Sequence, residues 1–297
     1  MTNKKMILTW EVDNRYSDLL LRDYLREVKG ISRKTLAEIK FKGGKLVING
    51  KEQNVRQYIK SGDKVDVHLP DEVVSKNIKI TSLPLEVIYE DDHLLIINKP
   101  AGIVTIPTED PYEPSIAGAV INHYRITGWP ATFHAVNRLD RDTSGLLVAG
   151  KHRYAHDLLV KQQRAGKLER AYTALVSGEV SWRFGSIYAP IARKSSSIIE
   201  REISSAGRHA VTHFERIKLQ QGYSTMLLRL ETGRTHQIRV HMAWLGYPLL
   251  GDTLYGGNKR LLTRTALHSH RVMLNHPLTG ELQCYEAPLP KDFKLND

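Results

Sequence analysis

Two stretches of the chain carry residue types that could do chemistry. The first, residues 137–150, reads Asn-Arg-Leu-Asp-Arg-Asp-Thr-Ser-Gly-Leu-Leu-Val-Ala-Gly. Arg138, Asp140, Arg141 and Asp142 stand directly before an apolar run that should be a core strand. Charges pressed against a buried strand are costly unless they are paired or have a purpose. A carboxylate fixed there could serve as nucleophile or general base. The same local pattern also fits a surface turn in which Asp140 or Asp142 caps the amides of Thr143 and Ser144. The second stretch, residues 231–246, reads Glu-Thr-Gly-Arg-Thr-His-Gln-Ile-Arg-Val-His-Met-Ala-Trp-Leu-Gly. Thr235 is placed to cap a helix with Ile238, His241, Met242 and Leu245 on one face and Gly246 at its end. Arg234, just ahead of that helix, is free to reach an anion or simply to end the helix. No metal site is expected. His236 and His241 splay by about 140° on a helix, and neither they nor the pair His268 and His270 has a visible third ligand.

These groups need elements to position them. Leu94–Ile97 reads as a buried strand ended by Asn98-Lys99-Pro100-Ala101-Gly102. A loop around Pro107, Pro111 and Pro114 leads to a helix beginning near Ser115. Tyr172, Ala174 and Val176 share one face of a further strand, so Tyr172 is either a core residue or an aromatic surface beside the carboxylate. The N-terminal part is different in character. Leu21, Tyr24, Leu25 and Val28 recur at helical spacing until Gly30. Ser32 begins a second helix burying Leu36 and Ile39, which ends at Gly43-Gly44. Leu46–Ile48 is strand-like and runs into the hairpin signal Asn49-Gly50. After Gly62-Asp63, Val65, Val67 and Leu69 alternate with polar residues. These features divide the chain into residues 1–72, a polar linker over 73–84, and a larger domain over 85–297.

Charge points to a polyanionic partner. The 297 residues carry a formal charge of +11, which suits nucleic acid and equally suits a basic surface kept for solubility. Residues 31–60 alone hold eight basic residues against two acidic ones. Such a cluster binds phosphates through counterion release. The single cysteine, Cys284, excludes an internal disulfide and any cysteine-built zinc site and fits a reducing compartment. No apolar run is long enough to span a bilayer, and the first residues lack the apolar segment of a secretory signal. No nucleotide-binding glycine pattern appears. A cytoplasmic protein without cofactor is expected, and a monomer, for want of a coiled coil.

The block "NRLDRDTSGLLVAGK" closely resembles the signature of the RluA-type RNA pseudouridine synthases, whose catalytic residue is the Asp after Arg-Leu. "INKPAGIVTIP", "RAYTALVSG", "TGRTHQIRVHMAWLGYPLLGD" and "TALHSHRVMLNHPLTGE" with "APLP" resemble the family's other blocks, in order, over most of residues 85–290. The resemblance implies an α+β catalytic domain with a mixed, mainly antiparallel sheet and an RNA-binding cleft. It assigns catalysis to Asp140, with Arg234 as the cation that keeps it ionised and Tyr172 stacking on the target uracil. Arg138 resembles the arginine that fills the space of the extruded base. Thr143, Ser144 and Gly145 would shape the loop that presents Asp140. Residues 16–70 resemble the small RNA-binding domain of a small-subunit ribosomal protein, the S-four-like domain. That likeness turns Arg33, Lys34, Lys40 and Lys42 toward RNA, where a solvated basic face is the plainer reading.

Isomerising uridine needs no cofactor or metal. The family's commonest substrate is large-subunit ribosomal RNA, with transfer RNA as the alternative. Three positions depart from the family pattern and bear on which RNA site is read: Asn137 replaces His, Arg170 replaces Lys, and "VTIP" ends the first block. Two rival readings are a glycoside hydrolase using Asp140 with Asp142, and a ribosome-associated binding protein that has lost activity. The first leaves the basic N-terminal part unexplained, and the retained Asp140, Tyr172 and Arg234 argue against the second.

Overall fold

A computed structural model describes residues 6–75, 77–107, 110, 113–129 and 131–294. Residues 1–5 and Pro111 lie outside the described residues. The N-terminal unit begins with strand β1 (Ile7–Glu11), which the reading above did not include although Leu8, Trp10 and Val12 alternate. Helix α1 (Leu21–Asp23) widens into a π-turn over Tyr24–Val28 and stops where Gly30 takes a φ of +73°. Helix α2 (Arg33–Phe41) starts as expected, with Ser32 Oγ accepting from Thr35 N at 3.1 Å, a cap worth about 1 kcal/mol. Strands β2 (Lys45–Ile48) and β3 (Lys51–Glu52) turn through Asn49 and Gly50, both at positive φ, as a two-residue hairpin requires. Strand β4 (Lys64–His68) completes a four-stranded antiparallel sheet in the order β1-β4-β2-β3. Its inward side chains pack with Leu21, Leu25, Leu36 and Ile39 in a core of their own.

The larger unit holds β5 (Glu86–Glu90), β6 (Leu94–Lys99), α3 (Ile116–Thr127), β7 (His134–Ala135), β8 (Ser144–Gly150) and α4 (Arg153–Arg164). It continues with β9 (Glu169–Ser177), β10 (Phe184–Tyr188), β11 (Ile191–Arg193), β12 (Arg201–Ile203), β13 (Val211–Gln220) and β14 (Tyr223–Leu230). Helix α5 (Gln237–Trp244), β15 (Leu267–Asn275) and β16 (Leu282–Glu286) complete it. Eight strands run in the order β10-β13-β14-β9-β15-β8-β6-β5, with β16 on β15 and β7 on β8. Every pairing is antiparallel except the short parallel contact of β15 with β8. The fold is therefore the α+β arrangement with a mixed, mainly antiparallel sheet that was expected.

Strand β8 is buried along its whole length, which explains its unbroken apolar run. Leu147 and Ala149 face a core shared with α3 and α5, while Leu146 and Val148 face one shared with α4. Gly145 is needed where β8 meets β15. It has a φ of +105°, and a Cβ there would lie 2.2 Å from Ser269 O.

The stretch before β5 is less free than its polar composition suggests. Glu72 accepts from His134 Nε2 at 2.6 Å, Thr132 N at 3.2 Å and Arg153 N at 3.1 Å. Burial opposes its charge, but these partners hold its carboxyl below the usual range. Helix α4 then docks the N-terminal unit. Tyr154 lies in that unit's core and donates to Lys29 O, Thr35 donates to Asp157 at 2.8 Å, and Arg153 pairs with Glu38 at 2.8 Å.

Candidate active site

Asp140 lies in the short loop between β7 and β8, and its neighbours in sequence are fixed from both sides. Thr105 Oγ1 donates to Leu139 O at 2.7 Å and accepts from Leu139 N at 3.2 Å. Arg141 O accepts from Gly102 N at 2.9 Å and from the Lys99 ammonium at 3.0 Å. That ammonium is fully buried and also donates to Pro100 O and Ile103 O at 2.8 and 2.7 Å. Burial pushes the Lys99 pKa down to about 7 against the opposing pull of Asp140 and Asp142. Arg264 Nη1 donates to Asp142 O at 3.0 Å. Thus the block over residues 97–107 clamps the backbone on both sides of Asp140, whose side chain is left open to the cavity.

That carboxylate is about one-third exposed and accepts from Arg239 Nη1 at 3.1 Å. Arg239 is itself gripped by Asp252, with Nε to Oδ2 at 2.7 Å and Nη2 to Oδ1 at 2.8 Å. Burial works against the charge on Arg239, but the Asp252 and Asp140 carboxylates outweigh it and hold the proton more tightly than in water. Tyr255 packs its ring 5.0 Å from the same guanidinium. The Tyr255 hydroxyl accepts from Arg201 N at 2.9 Å and lies 2.8 Å from His236 Nδ1. A hydroxyl that accepts a backbone N–H keeps its own proton for a further acceptor, a role Nδ1 fills when the ring's proton is on Nε2. His236 Nε2 stands 3.8 Å from Asp140 Oδ2. Burial lowers the His236 pKa, with Asp140 opposing.

The cation paired with Asp140 is therefore Arg239 and not Arg234. The expected cap at Thr235 is also absent. Helix α5 begins later, at Gln237, with His236 in the left-handed region at φ 57°. The Gln237 side chain closes the loop instead, accepting from Arg234 N at 2.9 Å and Thr232 Oγ1 at 2.8 Å and donating to Val211 O at 2.9 Å. This shift turns Arg239 inward, while Arg234 Nε donates to His209 O at 2.9 Å.

Asp140, Arg239, Arg234, His236, Tyr172 and Arg138 still line one cavity of about 60 Å³. Tyr172 is buried in its wall, 4% exposed, while Arg138 stands exposed at its edge. Arg33, Lys34, Lys40 and Lys42 are elsewhere, all exposed on α2 and just after it. Asn137 is buried and bonds along β8, accepting from Val148 N at 2.8 Å and donating to Leu146 O at 3.4 Å. Among the described residues no group of three histidine, cysteine or acidic side chains is arranged to hold a metal, and no helix is long and apolar enough to cross a membrane.

The family described as RNA pseudouridylate synthase matches residues 93–244. This chain belongs to the RNA pseudouridine synthase family. Members are isomerases that act on RNA. The chain is 46% identical over 275 residues to an uncharacterized RNA pseudouridine synthase, YjbO, of Bacillus subtilis, covering 93% of this chain and 97% of that one. It is 35% identical to the ribosomal large subunit pseudouridine synthase D of Pseudomonas aeruginosa, covering 85% of this chain and 82% of the relative. A solved structure of human RNA pseudouridylate synthase domain containing 1 shares the fold, with a TM-score of 0.58 and 24% identity over 71% of this chain and 85% of that one.

Sequence reasoning missed Arg239, Asp252, Tyr255 and Lys99. Arg239 stands in the same sequence block as Arg234, but its inward turn depends on where α5 starts. Tyr255 lies just beyond the conspicuous Gly251-Asp252, and nothing in its spacing ties it to His236.

Proposed function

We propose that this synthase converts uridine to pseudouridine in large-subunit ribosomal RNA in the cytoplasm, with Asp140 as the catalytic carboxylate. The observation that carries the reading is the placement of Asp140. It is an exposed-side carboxylate held by a buried arginine, over a cavity that also contains a tyrosine and two further arginines. The ribosomal assignment rests on the relatives named as large-subunit enzymes.

The reaction breaks the bond from ribose C1′ to uracil N1, turns the base, and joins C1′ to C5, from which a proton is lost while the freed N1 takes one up. Atoms balance without cofactor. Asp140, paired with Arg239, attacks C1′ or removes the proton that allows elimination. The Arg239 guanidinium, held by Asp252, bonds the carboxylate and fixes its direction, with His236 Nε2 3.8 Å away, so its lone pairs need no reorganisation during the step. Tyr172 offers a flat apolar wall for the flipped uracil, and the exposed Arg138 fills the gap that the base leaves in the RNA stack. Arg234 at the mouth takes a backbone phosphate. A cavity of about 60 Å³ in the free protein is too small to supply the affinity alone. The α2 surface carrying Arg33, Lys34, Lys40 and Lys42 adds it, as the RNA-binding part of an N-terminal domain that ends near residue 72.

The test is incubation with ribosomal RNA carrying tritium at uracil C5. The enzyme releases tritium without releasing free uracil. Release of free base or sugar contradicts an isomerase acting through Asp140.

A further inference from the structure

Across the sheet from Tyr172 lies a second and much larger cavity that the active site does not use. Ala171 immediately precedes Tyr172 in β9, and successive strand residues face opposite ways, so Ala171 points away from the active site. Its register partners are Arg229 on β14 and Arg271 on β15. These two side chains therefore stand on either side of a small floor residue, with Cα atoms about 10 Å apart by two strand spacings. Arg164, from the last turn of α4, lines the same cavity, whose volume is about 520 Å³. All three arginines are exposed, and none makes a hydrogen bond or ion pair among the described residues. Arg170, in the cavity's wall, is 93% buried and its Nε has no hydrogen-bond partner; its terminal nitrogens lie beneath Gly233. Three acids stand beside these arginines, one of them Glu286, the register partner of Arg271 on β16. Glu231 is engaged by His213 at 2.6 Å, and Glu169 is exposed at the rim.

Arginines converging on a hollow, in excess over the carboxylates beside it, attract anions. The cavity shares His213, Leu227 and Arg229 with an adjoining hollow of about 290 Å³ that is lined by Phe184. Phe184 is 76% exposed, on the strand next to β13. Arginines beside an open aromatic ring form the surface that takes single-stranded RNA, with phosphates on the guanidinium groups and a base on the ring. A free phosphate has no use for the aromatic.

We propose that this face of the sheet is a second RNA contact, in which Arg164, Arg229 and Arg271 bind backbone phosphates of a single-stranded segment other than the one carrying the target uridine, and Phe184 stacks on one of its bases. The proposal rests on the reading of the chain as an RNA-modifying enzyme. It explains how a small active-site cavity is kept on a large RNA, and it requires binding here to be independent of sequence, because phosphates dominate.

The experiment compares wild type with the double variant Arg229→Glu/Arg271→Glu and with Arg229→Lys/Arg271→Lys, which retains charge. The substrate is ribosomal RNA with tritium at uracil C5, from cells lacking the protein. For the Glu variant KM rises roughly tenfold at physiological salt, kcat is unchanged, and the slope of log affinity against log salt falls by about 1.4, as for two lost single-strand phosphate contacts. The Lys variant keeps the wild-type slope, which also shows that the substitutions do not act by unfolding. Unchanged KM and slope in the Glu variant overturn the proposal, and so does a fall in kcat alone. Calorimetric binding of uridine monophosphate that the Glu variant loses, with RNA affinity intact, assigns the cavity to a free nucleotide and overturns it too. Absence of tritium release by wild type sinks the functional reading instead, while the salt slope still judges the cavity.

Discussion

Asp252 grips Arg239 through two hydrogen bonds of 2.7 and 2.8 Å, and Arg239 turns its remaining nitrogen to Asp140 at 3.1 Å. One guanidinium thus links a fully buried carboxylate to a partly exposed one. The division of roles follows from burial. Asp252, 1% exposed, has no access to substrate and orients the arginine, while Asp140 remains open to the cavity.

Removing the inner partner should be felt in both stability and rate. Asp252→Ala leaves Arg239 buried with half its charge partners gone, and breaking a buried pair costs about 3–5 kcal/mol. Urea titration should show a loss of that order. In the milder Asp252→Asn, kcat should fall by about 10²-fold with little change in KM, because the arginine that directs Asp140 is no longer fixed.

Arg239→Lys retains the charge but lacks the planar fork that serves two carboxylates at once. Single-turnover kinetics should show at least about a 10²-fold slower chemical step, whereas Arg234→Lys should chiefly raise KM. Equal losses at the two positions would erase the distinction drawn between them.

The Tyr255 hydroxyl faces His236 Nδ1, and this has a pH consequence. Burial lowers the His236 pKa from its ordinary 6.5, so between 6.5 and that lower value the unfolded chain binds more protons than the folded one. The contribution of His236 to stability is complete above pH 6.5 and is lost as the pH falls through its folded pKa. In Tyr255→Phe the donor to Nδ1 disappears, protonation becomes easier, and the acid limb of activity should move to higher pH. An acid limb that stays put would assign it to another group.

Lys99 gives the same sign in a different window. Burial holds its folded pKa at about 7 while the unfolded value is 10.5. Between these the unfolded state binds more protons, so this group makes stability rise with pH from about 7 to 10.5. Lys99→Met should flatten that part of the stability profile and, by freeing the backbone of Arg141, reduce kcat. A profile identical to wild type would show that the ammonium is not the titrating group.

Much of the site was legible because its signals are local. The charged run before a buried strand drew attention to residues 138–142, the family resemblance singled out Asp140 among them, and alternation placed Tyr172 in a strand. The exchange of Arg234 for Arg239 was not legible. It depends on where α5 starts, and that is set by Gln237 bonding to Val211 and Thr212 on β13, a contact 25 and 26 residues away in sequence. The anchoring of Glu72, just ahead of the stretch read as a linker, was hidden for a related reason. Glu72 looks like one more polar residue, yet its partners at 132, 134 and 153 bury it. Asn137 shows the reverse case, since its departure from the family pattern is absorbed by hydrogen bonds to the β8 backbone.

The most direct test of the central claim is tritium release from uracil C5 of ribosomal RNA by wild type and by Asp140→Asn, with the modified nucleotides then mapped. The side chains are nearly equal in size, so the variant should fold, bind RNA with an affinity close to wild type, and release no tritium. An Asp140→Asn protein that still forms pseudouridine at wild-type rate would contradict the assignment of Asp140 as the catalytic carboxylate.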